Sequence, residues 1–172
     1  KDTVNYDQMR YEGFGPNGTS IIVEALTDNR NRTASNVRSA FQKFGGSMGE
    51  TGSVSHAFNH YGFVRYNKDV TSEEDFFNFS IEGGAEDCFI EEDTYEAVST
   101  PETLSNLYNY LDKKFGEPVS SGFQWKPVTY VAIEGDKLKS LINLLNELDN
   151  DEDVQQVFSN FEASDEELAK FA

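Results

Sequence analysis

Residues 27–46, TDNRNRTASNVRSAFQKFGG, form the stretch around which the chain is organised. The apolar run that leads into it predicts a strand over 19–27. From Ala34 to Phe44 the apolar residues recur every three or four positions, which is typical of one buried helix face. The stretch therefore predicts a strand followed by a helix over 33–44.

Arg30 and Arg32 stand where this helix is predicted to begin. A helix N-terminus carries partial positive charge, so stability alone favours Asp or Glu there. Two guanidinium groups beside free backbone N–H groups are typical of a site for an anion such as phosphate. The alternative is that both arginines pair with local carboxylates such as Asp28 or Glu24. The sequence leaves both interpretations open.

The net charge of −17 is unevenly distributed along the chain. Residues 1–61 hold six basic and six acidic side chains, so residues 62–172 carry the entire excess. Residues 29–46 hold four positive charges and no negative one. We therefore expect any contact with phosphate in the first third of the chain, and repulsion of polyanions by much of the rest.

The predicted phosphate-binding set lies in and next to the predicted helix. It consists of Asn29, Arg30, Arg32, Thr33, Arg38 and Lys43. Two glycine-rich turns, at 11–18 and 45–52, are expected to support it with their backbone. The glycines in question are Gly13, Gly15, Gly18, Gly45, Gly46 and Gly52. The first turn is not a phosphate loop, because the glycine spacing differs and no Gly-Lys-Ser/Thr follows.

The remaining pattern predicts an α+β fold. Residues 62–127 read as strand, helix, strand, strand, helix, strand, the order of a ferredoxin-like module. Outside them the same order returns in strands 19–27, 53–61, 129–134 and 154–161 with helices 33–44 and 136–148. We therefore predict two ferredoxin-like (βαββαβ) modules, with 62–127 inserted into a discontinuous module of 1–61 and 128–172. Residues 1–10 are expected to be a polar tether.

The sequence predicts no enzyme, no cofactor and no metal site. No nucleophile, base and orienting group come together in a recognisable local pattern. His56 and His60 have a spacing that suits a metal on a helix, but they fall in a predicted strand and have no third ligand beside them.

Two further features have ordinary interpretations. Asp149, Asp151 and Asp153 alternate like the start of a calcium loop, but the glycine and the closing glutamate are missing, which favours a plain acidic turn. Trp125 is expected to pack in a core or between domains, with base stacking as the alternative.

The single cysteine, Cys88, excludes an internal disulfide framework and favours a reducing compartment. No apolar run reaches the length of a membrane span, so we expect no membrane partner and a cytoplasmic location. The chain opens on Lys1 rather than Met, which favours a fragment or a processed product.

Several motifs resemble the YebC/PmpR family. The two longest are YEGFGPNG at 11–18 and LTDNRNRT at 26–33. The sequence departs from the commonest pattern at Phe14 and Asn17, where Tyr and Gly are more usual. Shorter matching segments lie at 45–46, 52–54, 84–87 and 151–155, so the resemblance covers nearly the whole chain.

The resemblance implies a non-enzymatic regulator of gene expression. Members of the family have three domains, and this sequence resembles the second (1–61 with 128–172) and the third (62–127) but lacks the basic helical N-terminal one. Bacterial members are described as DNA-binding transcriptional regulators. Others act in translation on the ribosome or on messenger RNA, among them the mitochondrial translational activator of cytochrome oxidase subunit one. The implied partner is thus DNA, or ribosomal or messenger RNA, with the mitochondrial matrix as the alternative location. A different class of function is an interaction module whose acidic inserted part docks a basic protein.

Overall fold

The computed structural model describes residues 4–171. The strands are β1 Asp7–Phe14, β2 Ser20–Thr27, β3 Ser47–Met48, β4 Phe58–Asn67, β5 Asp87–Ile90, β6 Thr94–Ser99, β7 Ser120–Pro127, β8 Val131–Ala132, β9 Val154–Ser159 and β10 Phe161–Glu162. The α-helices are α1 Arg30–Lys43, α2 Glu73–Glu82, α3 Leu104–Phe115, α4 Gly135–Asp149 and α5 Asp165–Ala169. The fold is therefore α+β, and no helix in 4–171 is long and apolar enough to cross a membrane.

The chain forms two compact units. The first, here called the split unit, consists of Lys1–Asn59 and Lys126–Ala172. The second, the inserted unit, is His60–Trp125. The strands β4 and β7 carry the chain from one unit into the other.

The sheet of the split unit has the order β3-β1-β2-β9, and every neighbouring pair in it is antiparallel. Helices α1 and α4 contact this sheet and each other. The apolar stripe of α1, which includes Val37 and Phe41, meets Ile21 and Val23 of β2 and the leucines of α4 in one core. Burying each such side chain stabilises the fold by about 1.5–3 kcal/mol, so the stripe fixes the face that α1 turns inward.

Strand β1 corrects the prediction that 1–10 is a tether and 11–18 a turn. Of these, 1–3 lie outside the described residues, but Asp7–Phe14 pairs with β2 along its whole length, from Asp7 opposite Thr27 to Phe14 opposite Ser20. Its exposed half is polar and its buried half contains Glu12 and Gly13. A buried acid and a glycine remove the alternation by which a strand is recognised.

The predicted strand at 53–61 is also corrected. Residues Ser55–Ala57 form a 3-10 turn, and β4 then runs without a break from Phe58 to Asn67. Gly62 lies inside this strand. A Cβ at Gly62 would come within 2.7 Å of the Leu104 Cβ, so only glycine fits there. Close packing against α3, and not a chain break, explains this glycine.

The sheet of the split unit consequently differs from the predicted order. The four strands of this sheet are β3, β1, β2 and β9. The predicted strands 53–61 and 129–134 are not part of it. Strand β8, within 129–134, pairs in parallel with the short β10. The predicted βαββαβ order of the discontinuous module is therefore not the one observed.

The inserted unit has one sheet of order β5-β6-β4-β7. Along the chain its elements follow as β4, α2, β5, β6, α3 and β7. Helices α2 and α3 bury Phe76, Leu107 and Leu111 against Val64 and Tyr66 of β4 in a core of its own. Ser72 caps α2 by accepting a hydrogen bond from the Asp75 N–H at 3.1 Å.

Candidate nucleic-acid interface

Helix α1 begins at Arg30, three residues earlier than predicted, because Asn29 caps it. The Asn29 side chain accepts a hydrogen bond from the Arg32 N–H at 3.1 Å. Thr33, a member of the predicted phosphate-binding set, is buried in the first turn of the helix. Its Oγ1 lies 2.7 Å from both Thr27 Oγ1 and Asp153 Oδ2. Thr33 thus ties α1 to the acidic turn that precedes β9 and is not accessible to a ligand.

Arg32 lies in an ion-pair network with two carboxylates. Its Nη2 is 2.8 Å from Asp153 Oδ1 and 2.9 Å from Asp28 Oδ1, and its Nε donates to Asp153 Oδ2 at 3.1 Å. These bonds raise the pKa of Arg32, and they and the Thr33 hydroxyl lower the pKa of Asp153. Arg32 therefore pairs with carboxylates of the chain, as the second of the two interpretations expected, and is not a free anion site.

The Asp153 contacts allow a stability prediction. We expect Asp153→Ala to lower the free energy of unfolding by about 1–2 kcal/mol, because Arg32 and Thr33 both lose an acceptor. Urea denaturation measures the change. Glu152→Ala is the matched control, since Glu152 is the exposed neighbour on the same turn. Equal stability of the two variants would show that Asp153 does not hold α1 in place.

Of the other three predicted cations, one forms an ion pair and two do not. Lys43 Nζ pairs with Glu147 Oε1 of α4 at 3.0 Å. Arg30 and Arg38 are exposed and form no hydrogen bond or salt bridge with any residue in 4–171. The predicted set is thus split into two neutralised cations, Arg32 and Lys43, and two that are available to an anion.

Arg38 belongs to an exposed polar stripe of α1. The stripe, which we call the α1 face, consists of Asn31, Ser35, Arg38 and Gln42 at helical spacing, with Arg30 at the start of the helix. It contains hydroxyl, amide and guanidinium groups and no carboxylate. Such groups supply most contacts of proteins with phosphate oxygens. Three of these residues were missed in the sequence, although the 3.6-residue period places them beside Arg38.

A family model described as the second and third domain of TACO1/YebC matches residues 6–161. The chain belongs to the TACO1/YebC family. This confirms the resemblance seen in the sequence motifs, and the family model is named for transcription regulation. The crystal structure of a conserved hypothetical protein from Aquifex aeolicus is similar to the chain, with 36% identity and a TM-score of 0.84. The match covers 96% of this chain and 68% of the Aquifex protein.

The first TACO1/YebC motif, YEGFGPNG, contains a buried carboxylate that the sequence did not reveal. Glu12 is fully buried, and its Oε1 accepts hydrogen bonds from the N–H groups of Val54 at 3.0 Å and Ser55 at 2.8 Å. Its Oε2 lies 3.0 Å from Arg10 Nε. Burial raises the pKa of Glu12, but the N–H groups of Val54, Gly52 and Ser55 and the Arg10 guanidinium outweigh it and lower the pKa overall.

Two glycines of the TACO1/YebC motifs are explained by packing. A Cβ on Gly46 would lie 2.2 Å from the Phe14 carbonyl oxygen, and one on Gly13 would lie 2.7 Å from the Phe41 ring. They let the end of α1 and the strand β3 approach β1 closely. The other predicted turn glycines, Gly15, Gly18, Gly45 and Gly52, lie in the same two connections. At Gly13 and Gly46 the absence of a side chain therefore has a packing cause that involves no phosphate.

The two histidines lie in different surroundings in this TACO1/YebC chain. His56 is in the 3-10 turn before β4, and His60 is on β4, stacked on Trp125. Within 4–171 no three His, Cys, Asp or Glu side chains come together as ligands for a metal ion.

Proposed function

We propose that this chain is the part of a non-enzymatic regulator of gene expression that binds nucleic acid through the α1 face and Arg30. The observation that carries the proposal is that Arg30 and Arg38 form no hydrogen bond or salt bridge within 4–171, in a chain with 31 acidic and only 14 basic residues. An anion binds them without displacing an internal carboxylate. At Arg32 and Lys43 it would have to compete with Asp153, Asp28 and Glu147.

The proposed contact positions the nucleic acid and does not read its sequence. Phosphate contacts made by Arg and by polar side chains fix register and orientation, whereas sequence is read at base edges. The α1 face offers Asn31 and Gln42, but a single arginine between them is a sparse set for base recognition. Affinity should therefore depend strongly on salt and weakly on base sequence.

We assign the two units to the two domains in the family model. The split unit would be the second domain and the inserted unit the third. The inserted unit is assigned a ferredoxin-like topology, supported by its element order and by its sheet order β5-β6-β4-β7.

Two targets are compatible with the α1 face. The transcription-regulation name of the family model favours duplex DNA. The charge of −17 favours a translation role, because a ribosome presents basic proteins as well as RNA to an acidic surface. The DNA-binding regulator is our first assignment and the ribosome- or messenger-bound factor the alternative.

Binding of the chain to a 20-base-pair duplex and to purified ribosomes tests this assignment, at an ionic strength of about 0.15 M. Retention of duplex binding against excess competitor DNA of unrelated sequence would support the transcriptional assignment. Co-sedimentation with ribosomes, with duplex binding lost to competitor, would support the translational one. Binding to neither would contradict the proposed function.

The second candidate function of the chain is a protein-interaction module, and a specific observation favours it. Between Lys68 and Lys113 the sequence holds 13 carboxylates and no Lys, Arg or His. On α2, in this region, Phe77 and Ile81 are exposed one helical turn apart. Apolar side chains in an acidic surround suit a basic partner protein.

A further inference from the structure

Three aromatic side chains form a row at one end of the sheet in the inserted unit. His60 on β4 stacks on Trp125 of β7, with ring centroids 4.1 Å apart and planes inclined by 8°. Phe123, two residues before Trp125 on β7, has its centroid 6.0 Å from that of His60 at 43°. We call His60, Phe123 and Trp125 the aromatic row.

The aromatic row lies at an open part of the sheet. Strands β4 and β7 are neighbours, and β7 is at one end of the sheet order. Side chains two residues apart on a strand share a face, so His60 is on the face of Gly62, where α3 begins with Leu104. Phe123 is 49% exposed, and His60 is exposed as well.

The charge around the row is unusual for this unit. The inserted unit holds 14 carboxylates, and none of them lies in 60–68 or 118–125, the segments that contain the row. The same two segments contain Lys68 and Arg65, of which Arg65 pairs with Glu96 of the neighbouring strand β6. The two segments thus contribute no carboxylate of their own, and Glu96 of β6 is an acid that bonds Arg65 and Gln124 within them.

We propose that the aromatic row binds unpaired nucleobases of a single-stranded nucleic acid by stacking. The proposal deepens the proposed function, on which it rests, by adding a base-stacking site to the phosphate contacts of α1. Stacking on aromatic rings is tolerant of sequence and needs bases that are not paired. The rigid His60–Trp125 stack holds the row in place, while the exposed ring of Phe123 receives the base.

Unpaired bases are the occupant that the residues favour. A basic peptide would be drawn to the carboxylates elsewhere in the unit, and not to the two segments that lack them. Paired bases of a duplex present edges and no free faces to a row of this kind. Recognition of single strands through stacked aromatics is typical of RNA-binding sheets.

Trp125 itself reports on the site, because it is the only tryptophan of the chain. We expect a 12-nucleotide oligoadenylate to quench the Trp125 fluorescence in a saturable manner. Anisotropy of the same oligonucleotide, labelled at one end, measures binding independently. The same measurements are made with oligodeoxyadenylate and with a duplex of the same length. The first comparison distinguishes RNA from DNA single strands, and the second distinguishes single strands from duplex.

Phe123→Ala should weaken single-strand binding about 5- to 100-fold, the effect of removing one stacking ring. Phe77→Ala is the matched control, since Phe77 is 48% exposed but lies among the carboxylates of α2. Phe123→Tyr, which retains a ring, should keep most of the affinity.

The outcomes separate this site from the proposed function. One outcome is that anisotropy reports binding, Trp125 is not quenched, and Phe123→Ala and Phe77→Ala have the same affinity. That outcome would overturn the aromatic row as a binding site and leave the proposal for the α1 face standing. Absence of anisotropy change with every oligonucleotide would overturn the proposed function and the row with it. A loss of affinity confined to Phe123→Ala, with quenching in the parent, is the result we expect.

Discussion

Glu12→Ala should lower the free energy of unfolding by about 3 kcal/mol. The substitution leaves the buried N–H of Val54 and the partly buried N–H of Ser55 without an acceptor. Each unsatisfied buried donor costs about 1–3 kcal/mol. It also creates space where the fully buried carboxylate was. Urea denaturation measures the effect, and Glu50→Ala, at an exposed position in the facing loop, should change stability by less than about 0.5 kcal/mol.

The same carboxylate should make stability depend on pH. The folded pKa of Glu12 is lowered, so its contribution is fully present above the unfolded pKa and is lost as pH falls through the folded pKa. Glu12→Gln keeps one acceptor oxygen and has no such titration. The variant should therefore be less stable than the parent near pH 7, and the difference should shrink on acidification below about pH 4. A difference that stays constant with pH would mean that folding does not shift the pKa of Glu12, and a difference that grows on acidification would mean that folding raises it.

The second large effect concerns binding. Arg30→Ala together with Arg38→Ala should weaken nucleic-acid binding about 100-fold at low salt, because two charge-assisted contacts with phosphate are lost. The unfolding free energy should change by less than about 0.5 kcal/mol, since both side chains are exposed and form no hydrogen bond or salt bridge within 4–171. Fluorescence anisotropy with a labelled duplex or single strand measures the affinity.

Lys43→Ala is the control for this double variant. Lys43 carries the same charge on the same helix, but Glu147 already neutralises it. We expect it to lose less than threefold in affinity. A loss of about tenfold from Lys43→Ala, the same per charge as in the double variant, would show that net charge, and not the two arginines, governs binding.

Periodicity accounts for what was predictable in the fold. The helices α1, α3 and α4 were each recognised from apolar residues three and four positions apart, and those residues are the ones that pack in the two cores. The strand β1 was not recognised, because the N–H donors that stabilise its buried acid are non-local. Glu12 meets Val54, which lies 42 residues further along the chain.

The same reason limits prediction of the site. Arg30 and Arg32 look equivalent in the sequence, yet Arg32 finds Asp153, 121 residues away, and Arg30 does not. Only the antiparallel pairing of β9 with β2 brings that acidic turn beside the start of α1. Charge counting leads to the expectation that any phosphate contact lies in the first third, but it cannot tell which cations there pair with distant carboxylates.

The measurement that tests the central proposal most directly is the salt dependence of binding, compared between the parent chain and the Arg30→Ala/Arg38→Ala variant. Each phosphate contact contributes about 0.9 to the slope of log K against log salt for duplex DNA and about 0.7 for a single strand. Loss of two contacts should therefore reduce the slope by about 1.8 or about 1.4. An unchanged slope would contradict the assignment of Arg30 and Arg38 as the residues that contact phosphate.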